Sequence, residues 1–324
     1  MTSAFEFARW AARLRTPLLL ALIGILASCD NEEPLSPTNT SDAADEVQEI
    51  AGPDFTNSFR GGIPFGTFRL PTSEFGARYD GAVRNLSPSH LLRELRAIKQ
   101  RGGKVIVMFA GPEHYYKTNG YFSLTKWKAR INRYRKINFS SYIKDGTIIG
   151  HYLIDEPNDP RNWRNRPIQP STLEEMAKFS KQIWPNMPTV IRTWPAYFAK
   201  KGSPRRYRYL DAAWAQYEVH RFPNVNEFVR SNVATARANG LALIIGMNII
   251  HGGRSRRTQM TADQIRTYGS RLLESTYPCA FISWQYRDYY MKNRGVQQAM
   301  AQLRRKAKSR PSKSCWGAGR RGGG

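Results

Sequence analysis

The stretch T-I-I-G-H-Y-L-I-D-E-P, residues 147–157, decides how the chain is read. Ile148, Ile149, Tyr152, Leu153 and Ile154 make an apolar, largely β-branched run one strand long. It stops at two adjacent carboxylates, Asp155 and Glu156, and at Pro157, which has no N–H to give to a ladder. A buried strand with acids at its C-terminal tip is the arrangement of a barrel whose chemistry sits at that end. A strand end with two solvated acids and a turn proline is the competing reading, and the flanking sequence separates the two.

Outward from this run the same unit repeats. Residues 62–70, 78–84, 104–110, 189–194, 212–218, 241–250 and 279–286 read as further strands. Helical spacing lies between most of them. Leu91, Leu92, Leu95 and Ile98 follow an N-cap at Ser87 with Pro88 at the first helical position. Met176, Phe179 and Ile183 follow a capping box of Ser171 and Glu174. Residues 225–239 end at Gly240, Thr261 caps a helix carrying Ile265, Tyr268 and Leu272, and residues 296–306 make the last helix. Most of the strands do not alternate in polarity, so both faces are covered, which implies parallel pairing. Eight such units in about 250 residues predict an α/β fold, a single-domain (β/α)8 TIM barrel over residues 55–308. An open doubly wound sheet lacks support, because no Gly-rich phosphate turn follows the first strand.

Strand tips in a barrel converge on one mouth. The third tip offers Glu113 and His114, the fourth Asp155 and Glu156, the fifth Trp194 and the sixth Glu218 and His220. The seventh offers Asn248 and His251, and the eighth Trp284, Tyr286 and Asp288. Paired carboxylates with aromatic platforms suit glycoside hydrolysis. One acid protonates the leaving oxygen and the other attacks or activates water, while indole and phenol rings stack on sugar faces. Glu156, Glu218 and Asp155 are the candidate catalytic groups. Period-two alternation puts Trp214 and Gln216 on the face of Glu218, and Trp194, Asn248, Trp284 and Tyr286 complete the candidate substrate contacts. Glu218 as a buried acid paired to an arginine is the alternative. His151, inside the strand, reads as a core histidine. His114, His220 and His251 lie on separate loops without chelate spacing, so no metal is expected. No zinc, P-loop or dinucleotide pattern occurs, so no cofactor is expected. Arg254, Arg256 and Arg257 after Gly252-Gly253 read as a solvated basic loop, with an anion clamp as the alternative.

On these residues the region 59–306 resembles the glycoside hydrolase barrel superfamily. Ile154-Asp155-Glu156-Pro157 is similar to the Asn-Glu-Pro strand end of the clan containing cellulases and mannanases. The resemblance implies that Glu156 is the acid/base, that Asp155 stands where an asparagine holds a sugar hydroxyl, and that Trp284 is the sugar-stacking tryptophan. The substrate it implies is a poly- or oligosaccharide. That clan carries its nucleophilic glutamate at the seventh strand end, where this chain reads G-M-N-I-I-H-G-G without a carboxylate. Three outcomes stay open: Glu218 supplies the second group, Asp155 supplies it, or the chain binds carbohydrate or an anionic polymer without cleaving it.

The formal charge is +25, from 50 Lys and Arg against 25 Asp and Glu in 324 residues. That surplus suits an anionic partner, whether acidic polysaccharide, lipid headgroups or nucleic acid, or else an Arg-rich solvated surface. No nucleic-acid recognition motif accompanies it, and no nucleic-acid partner is expected. Arg9, Arg13 and Arg15 precede an apolar run over 18–27 that is too short to span a bilayer comfortably, which marks 1–28 as a secretory signal. Leu26-Ala27-Ser28-Cys29 closely resembles the lipobox of bacterial lipoproteins. That resemblance implies lipidation at Cys29 and an envelope protein anchored to membrane, facing periplasm or exterior. Residues 29–54 read as a disordered tether, and 309–324 as a basic Gly/Arg-rich tail. Cys279 opens the last strand at the barrel bottom, where the final helix returns before Cys315. A Cys279–Cys315 disulfide is therefore geometrically reasonable in an oxidising compartment, against two free thiols. A monomer is expected.

Overall fold

The computed structural model describes residues 61–318, apart from 201 and 205. The signal, Cys29 and the tether fall outside the described residues. In chain order the strands are β1 (Phe65–Phe68), β2 (Gly81–Asn85), β3 (Lys104–Met108), β4 (Lys117–Thr118), β5 (Tyr121–Phe122), β6 (Ile148–Asp155), β7 (Thr189–Arg192), β8 (Ala212–Tyr217), β9 (Ala242–Met247) and β10 (Ala280–Ser283). β4 and β5 form a separate antiparallel hairpin. The other eight close into a barrel in the order β1-β10-β9-β8-β7-β6-β3-β2, every pair parallel. This is a single-domain (β/α)8 TIM barrel.

The outer layer is α1 (Leu91–Gln100), α2 (Leu124–Asn132), α3 (Ser140–Lys144), α4 (Pro170–Ile183), α5 (Val225–Ala238), α6 (Ala262–Leu272), a short α7 (Asp288–Met291) and α8 (Arg294–Lys308). Only 3-10 turns, Thr72–Glu74 and Pro195–Ala199, stand between β1 and β2 and between β7 and β8. Two apolar layers hold the fold. Inside the barrel, Phe68, Ile106, Tyr152, Trp214, Ile244 and Ile282 pack together. Outside it, the other faces of the strands meet the helices through residues such as Leu95, Leu153, Met176, Ile245 and Leu303. Burial on both faces is why the strands read as unbroken apolar runs.

Local signals fared unevenly. Thr261 and Gln264 form a capping box at the start of α6. The box expected from Ser171 and Glu174 does not form. Pro170 occupies the first turn of α4, so Ser171 is already helical, and the Glu174 carboxylate instead accepts the backbone N–H groups of Arg208, Tyr209 and Leu210 at 2.7–2.9 Å. Three donors in one turn outbid a single cap. Ser87 makes a turn, with His90 N donating to its carbonyl, and α1 starts three residues later than expected.

Residues 309–318 pack beneath the barrel. Cys279 and Cys315 are joined in a disulfide with their Cα atoms 5.3 Å apart. Gly317 N donates to Asp211 Oδ1 at 3.3 Å, and Ala318 N to the Gly240 carbonyl at 2.7 Å. Lys181 lies 3.8 Å from the centroid of the Trp316 ring and pairs with Asp211 at 2.5 Å. These partners stand at the N-terminal ends of β8, β9 and β10, so the tail closes the end opposite the mouth.

Candidate active site

The site is set by a defect in β6. Its register against β7 shifts between Tyr152 and Ile154, a bulge at Leu153. Tyr152 faces the barrel interior, whereas Leu153 and Ile154 both join the outer layer. The extra residue re-aims the tip. Asp155 turns back toward Tyr152, whose hydroxyl donates to Oδ1 at 2.8 Å. Glu156 follows at φ +34°, the left-handed region that only glycine enters without cost. Its N–H is tied to the Arg192 carbonyl at 3.1 Å. A non-glycine residue held there by its surroundings is a feature found at functional sites.

Arg192, the last residue of β7, is the hub. It is buried, and its guanidinium meets Asp155 Oδ1 through Nε, Glu156 Oε1 at 3.2 Å through Nη2 and Gln216 Oε1 at 3.0 Å through Nη1. It also lies 4.1 Å from the centroid of the Trp284 ring, which stacks on Phe68 at 4.6 Å. Burial works against its charge, but Asp155 and Glu156 outweigh burial and hold the guanidinium above its ordinary range. Burial raises the Glu156 carboxyl. Arg192 pulls it back down, while Asp155, Asp159 and Glu218 push it further up. Burial and then Asp155 likewise raise the Tyr152 phenol well above its usual value.

Glu218 stands across the mouth, just beyond β8. Asn248 Nδ2 donates to its Oε1 at 2.9 Å, and Asn248 Oδ1 in turn accepts from His251 N at 2.9 Å, which fixes the amide orientation. His220 Nε2 and Arg221 Nη1 lie 3.6 and 4.0 Å from the other Glu218 oxygen. Glu113 is also at this end, raised by burial and held by Lys117 at 2.6 Å.

The structure thus gathers Asp155, Glu156, Gln216 and Trp284 around Arg192, with Glu218 held by Asn248 at the same mouth. Trp194 is half-buried at the rim with the Arg221 guanidinium 3.9 Å from its ring centroid. Tyr286 sits at the edge, its hydroxyl 3.3 Å from Asp288 and its phenol raised by burial to about 12. Trp214 must be corrected. It shares the interior face with Gln216 but lies one layer deeper, fully buried, with Nε1 donating to the Ile282 carbonyl at 2.9 Å. It supports the floor and does not reach the mouth. Asp155, with Oδ1 committed to Tyr152 and Arg192, is placed to orient the guanidinium.

Arg192 and Tyr152 are the residues that sequence reasoning missed. A usable signal existed: an arginine closing the apolar run T-V-I-R, two residues before Trp194, is costly at a parallel strand tip unless acids await it. His151 is a core residue, with Nδ1 2.8 Å from Ser180 Oγ and its imidazole pushed down to about 3 by burial and Lys181. Among the described residues no group of three or more His, Cys, Asp or Glu is placed to hold a metal. A depression of about 340 Å3 on the barrel flank is lined by Tyr79, Met300 and Arg304 among others and holds no carboxylate, so it offers no acid–base chemistry.

No family model matches the chain, and no curated protein matches it. Solved structures do. A GH5_18 glycoside hydrolase from Bifidobacterium longum subsp. infantis aligns at a TM-score of 0.55, with 8% identity over 78% of this chain and 80% of that one. A protein from Parabacteroides distasonis ATCC 8503, provisionally described as a glycoside hydrolase, aligns at 0.52, with 10% identity over 78% and 95%. At these identities the likeness establishes the barrel fold.

Proposed function

We propose that this chain is a glycoside hydrolase acting on a poly- or oligosaccharide outside the cytoplasm, with Glu156 as general acid and Glu218 as its partner. One observation carries the reading: Glu156 sits strained at a bulged strand tip, its carboxyl pushed up by burial against the pull of Arg192, in a mouth shared with a second carboxylate. A carboxyl raised in this way can protonate a glycosidic oxygen, while a second carboxylate attacks carbon or activates water. Asn248 Nδ2 holds Glu218 by one oxygen and fixes its direction. Arg192, aligned by Asp155, is a positioning group beneath both acids. Gln216 Nε2 is buried with no hydrogen-bond partner among the described residues, which suits donation to a sugar hydroxyl. Trp194 and Tyr286 offer ring surface at the rim, whereas Trp284 has Phe68 against one face and Arg192 against the other. The two solved relatives, both described as glycoside hydrolases, favour carbohydrate as the substrate. Cys29 is the proposed lipid anchor, holding a monomeric chain on the bacterial envelope.

The test is a hydrolysis screen over plant, algal and bacterial glycans with the full chain. Glu156→Gln and Glu218→Gln are each expected to lower kcat by about 10²–10⁴. Full activity in Glu156→Gln removes the assignment. A second reading, a carbohydrate-binding barrel without turnover, is favoured by Arg192 neutralising both β6-tip acids and by Asn248 standing where a seventh-strand acid would. Glycan binding with no cleavage of any bound glycan selects it.

A further inference from the structure

The floor of the mouth is acidic, but its rim is not. The carboxylates of the strand-tip loops already have cationic partners: Glu74 with Arg78, Glu113 with Lys117, Asp155 and Glu156 with Arg192, Asp159 with Arg161, Glu218 with Arg221, and Asp288 with Lys292. The arginines on the same loops are in surplus. Arg69 after β1, Arg164 and Arg166 after β6, and Arg254, Arg256 and Arg257 after β9 are exposed, and none forms an ion pair among the described residues. The β9 loop is not a loose basic tail. Val219 N and His220 N donate to the Gly252 and Gly253 carbonyls at 2.8 and 3.1 Å, which fastens this loop to the segment carrying Glu218 and Arg221. Ser255 N is bound to Thr258 Oγ1 at 2.9 Å, and Gly253 N to the Thr258 carbonyl at 3.0 Å. Arg256 is near enough to Arg221 that the two repel, although burial is the larger force on Arg221.

We infer that the substrate is an anionic glycan, whose acidic groups are gripped by Arg254 and Arg256 on the Glu218 side of the mouth and by Arg164 and Arg166 on the Glu156 side. This rests on the carbohydrate reading above and names the class of sugar. A neutral sugar gains little from a guanidinium that has no carboxylate partner. A sugar carboxylate or sulfate takes a forked, charge-assisted pair of hydrogen bonds from each one. Ring-backed arginines are suited to this: Arg164 and Arg166 lie 5.4 and 4.8 Å from the centroid of Tyr121, so one ring restricts both side chains. The unpaired rim also draws a polyanion toward the mouth, while the paired floor does not repel it.

The test uses the full chain carrying Glu156→Gln, so that binding is read without turnover. Calorimetry at ~0.15 M salt compares polygalacturonate, the same polymer with its carboxyls reduced to alcohols, and dextran sulfate. Polygalacturonate or dextran sulfate should bind at least about tenfold more tightly than the reduced polymer, and Arg254→Ser/Arg256→Ser should remove about tenfold of that advantage. The preferred anion tells uronate from sulfated sugar. Among the described residues neither side chain forms an ion pair, and both are exposed, so the double variant should keep its unfolding midpoint. Equal affinity for the reduced polymer overturns the inference, as does a double variant that binds like its parent. Equal affinity for duplex DNA or phosphatidylglycerol vesicles also overturns it, because the rim is then a general polyanion surface. Cleavage of a neutral glycan with no preference for its charged form sinks this inference and leaves the hydrolase standing. Selective anionic-glycan binding with no cleavage by the wild-type chain does the reverse.

Discussion

Breaking the Cys279–Cys315 link should cost stability and leave the mouth alone. The two residues are 36 apart in sequence. Closing a loop of that length removes about 13 cal/mol/K of entropy from the unfolded chain, or ~4 kcal/mol at 25 °C. Both cysteines are buried, so a Cys279→Ala/Cys315→Ala chain also loses two packed sulfurs, and reduction alone isolates the entropic part. Other ties of the tail include hydrogen bonds from Arg310, Gly317 and Ala318 and the contacts of Lys313 with Tyr277 and of Lys181 with Trp316. Guanidinium unfolding followed by tryptophan fluorescence, with and without a phosphine reductant, reads the difference. A thermal midpoint should fall by roughly 10 °C for a domain of this size. Activity or glycan binding at 25 °C should be unchanged, because the link lies at the N-terminal ends of β9 and β10 and the acids lie at the C-terminal ends. Coincident unfolding curves would refute the loop-entropy reasoning. Loss of binding on reduction while the barrel stays folded would refute the separation of the two ends.

Three further outcomes follow from individual contacts. With Glu156 as general acid, kcat/KM should fall as pH rises through its raised pKa. Arg192 opposes that rise, so Arg192→Gln should move the basic limb to higher pH, and a limb that stays or moves down counts against Glu156 as the acid. His151 is held near pKa 3 in the native chain and titrates near 6.5 when unfolded. Its contribution is therefore complete above pH 6.5 and is lost as pH falls toward 3. His151→Leu should flatten the stability–pH curve across that window by about 1.4 kcal/mol per pH unit, measured by denaturant titration at several pH values. Gly246 packs so closely on β10 that a Cβ would collide with the Ile282 carbonyl oxygen. Gly246→Ala should destabilise the barrel by ~1–3 kcal/mol, and a thermal midpoint equal to the parent's would contradict that packing.

Much of the barrel was legible because its strands are buried on both faces. The apolar runs ending in Asp155, Trp194, Glu218 and Asn248 mark strands and tips together, since a parallel barrel puts every tip at one end. Capping at Thr261 was equally legible, because the box is written within four residues. Ser171 and Glu174 show the limit. The same local pattern lost to three backbone donors at 208–210, more than thirty residues away.

The chain's own order of residues settled the fold class and the strand tips on which Asp155, Glu156 and Glu218 stand. These follow from periodicity and strand polarity, which are local properties. Tertiary structure alone decided which atoms face which. One inserted residue at Leu153 rotates everything after it, so Asp155 is turned to Tyr152 and Arg192 and Glu156 is left strained at the rim. Alternation cannot be counted through a bulge, and a bulge forms where two strands of unequal demand are paired. For the same reason Trp214 and Gln216, two residues apart on one face, part company in depth: the tilt of β8 buries one and brings the other to Arg192.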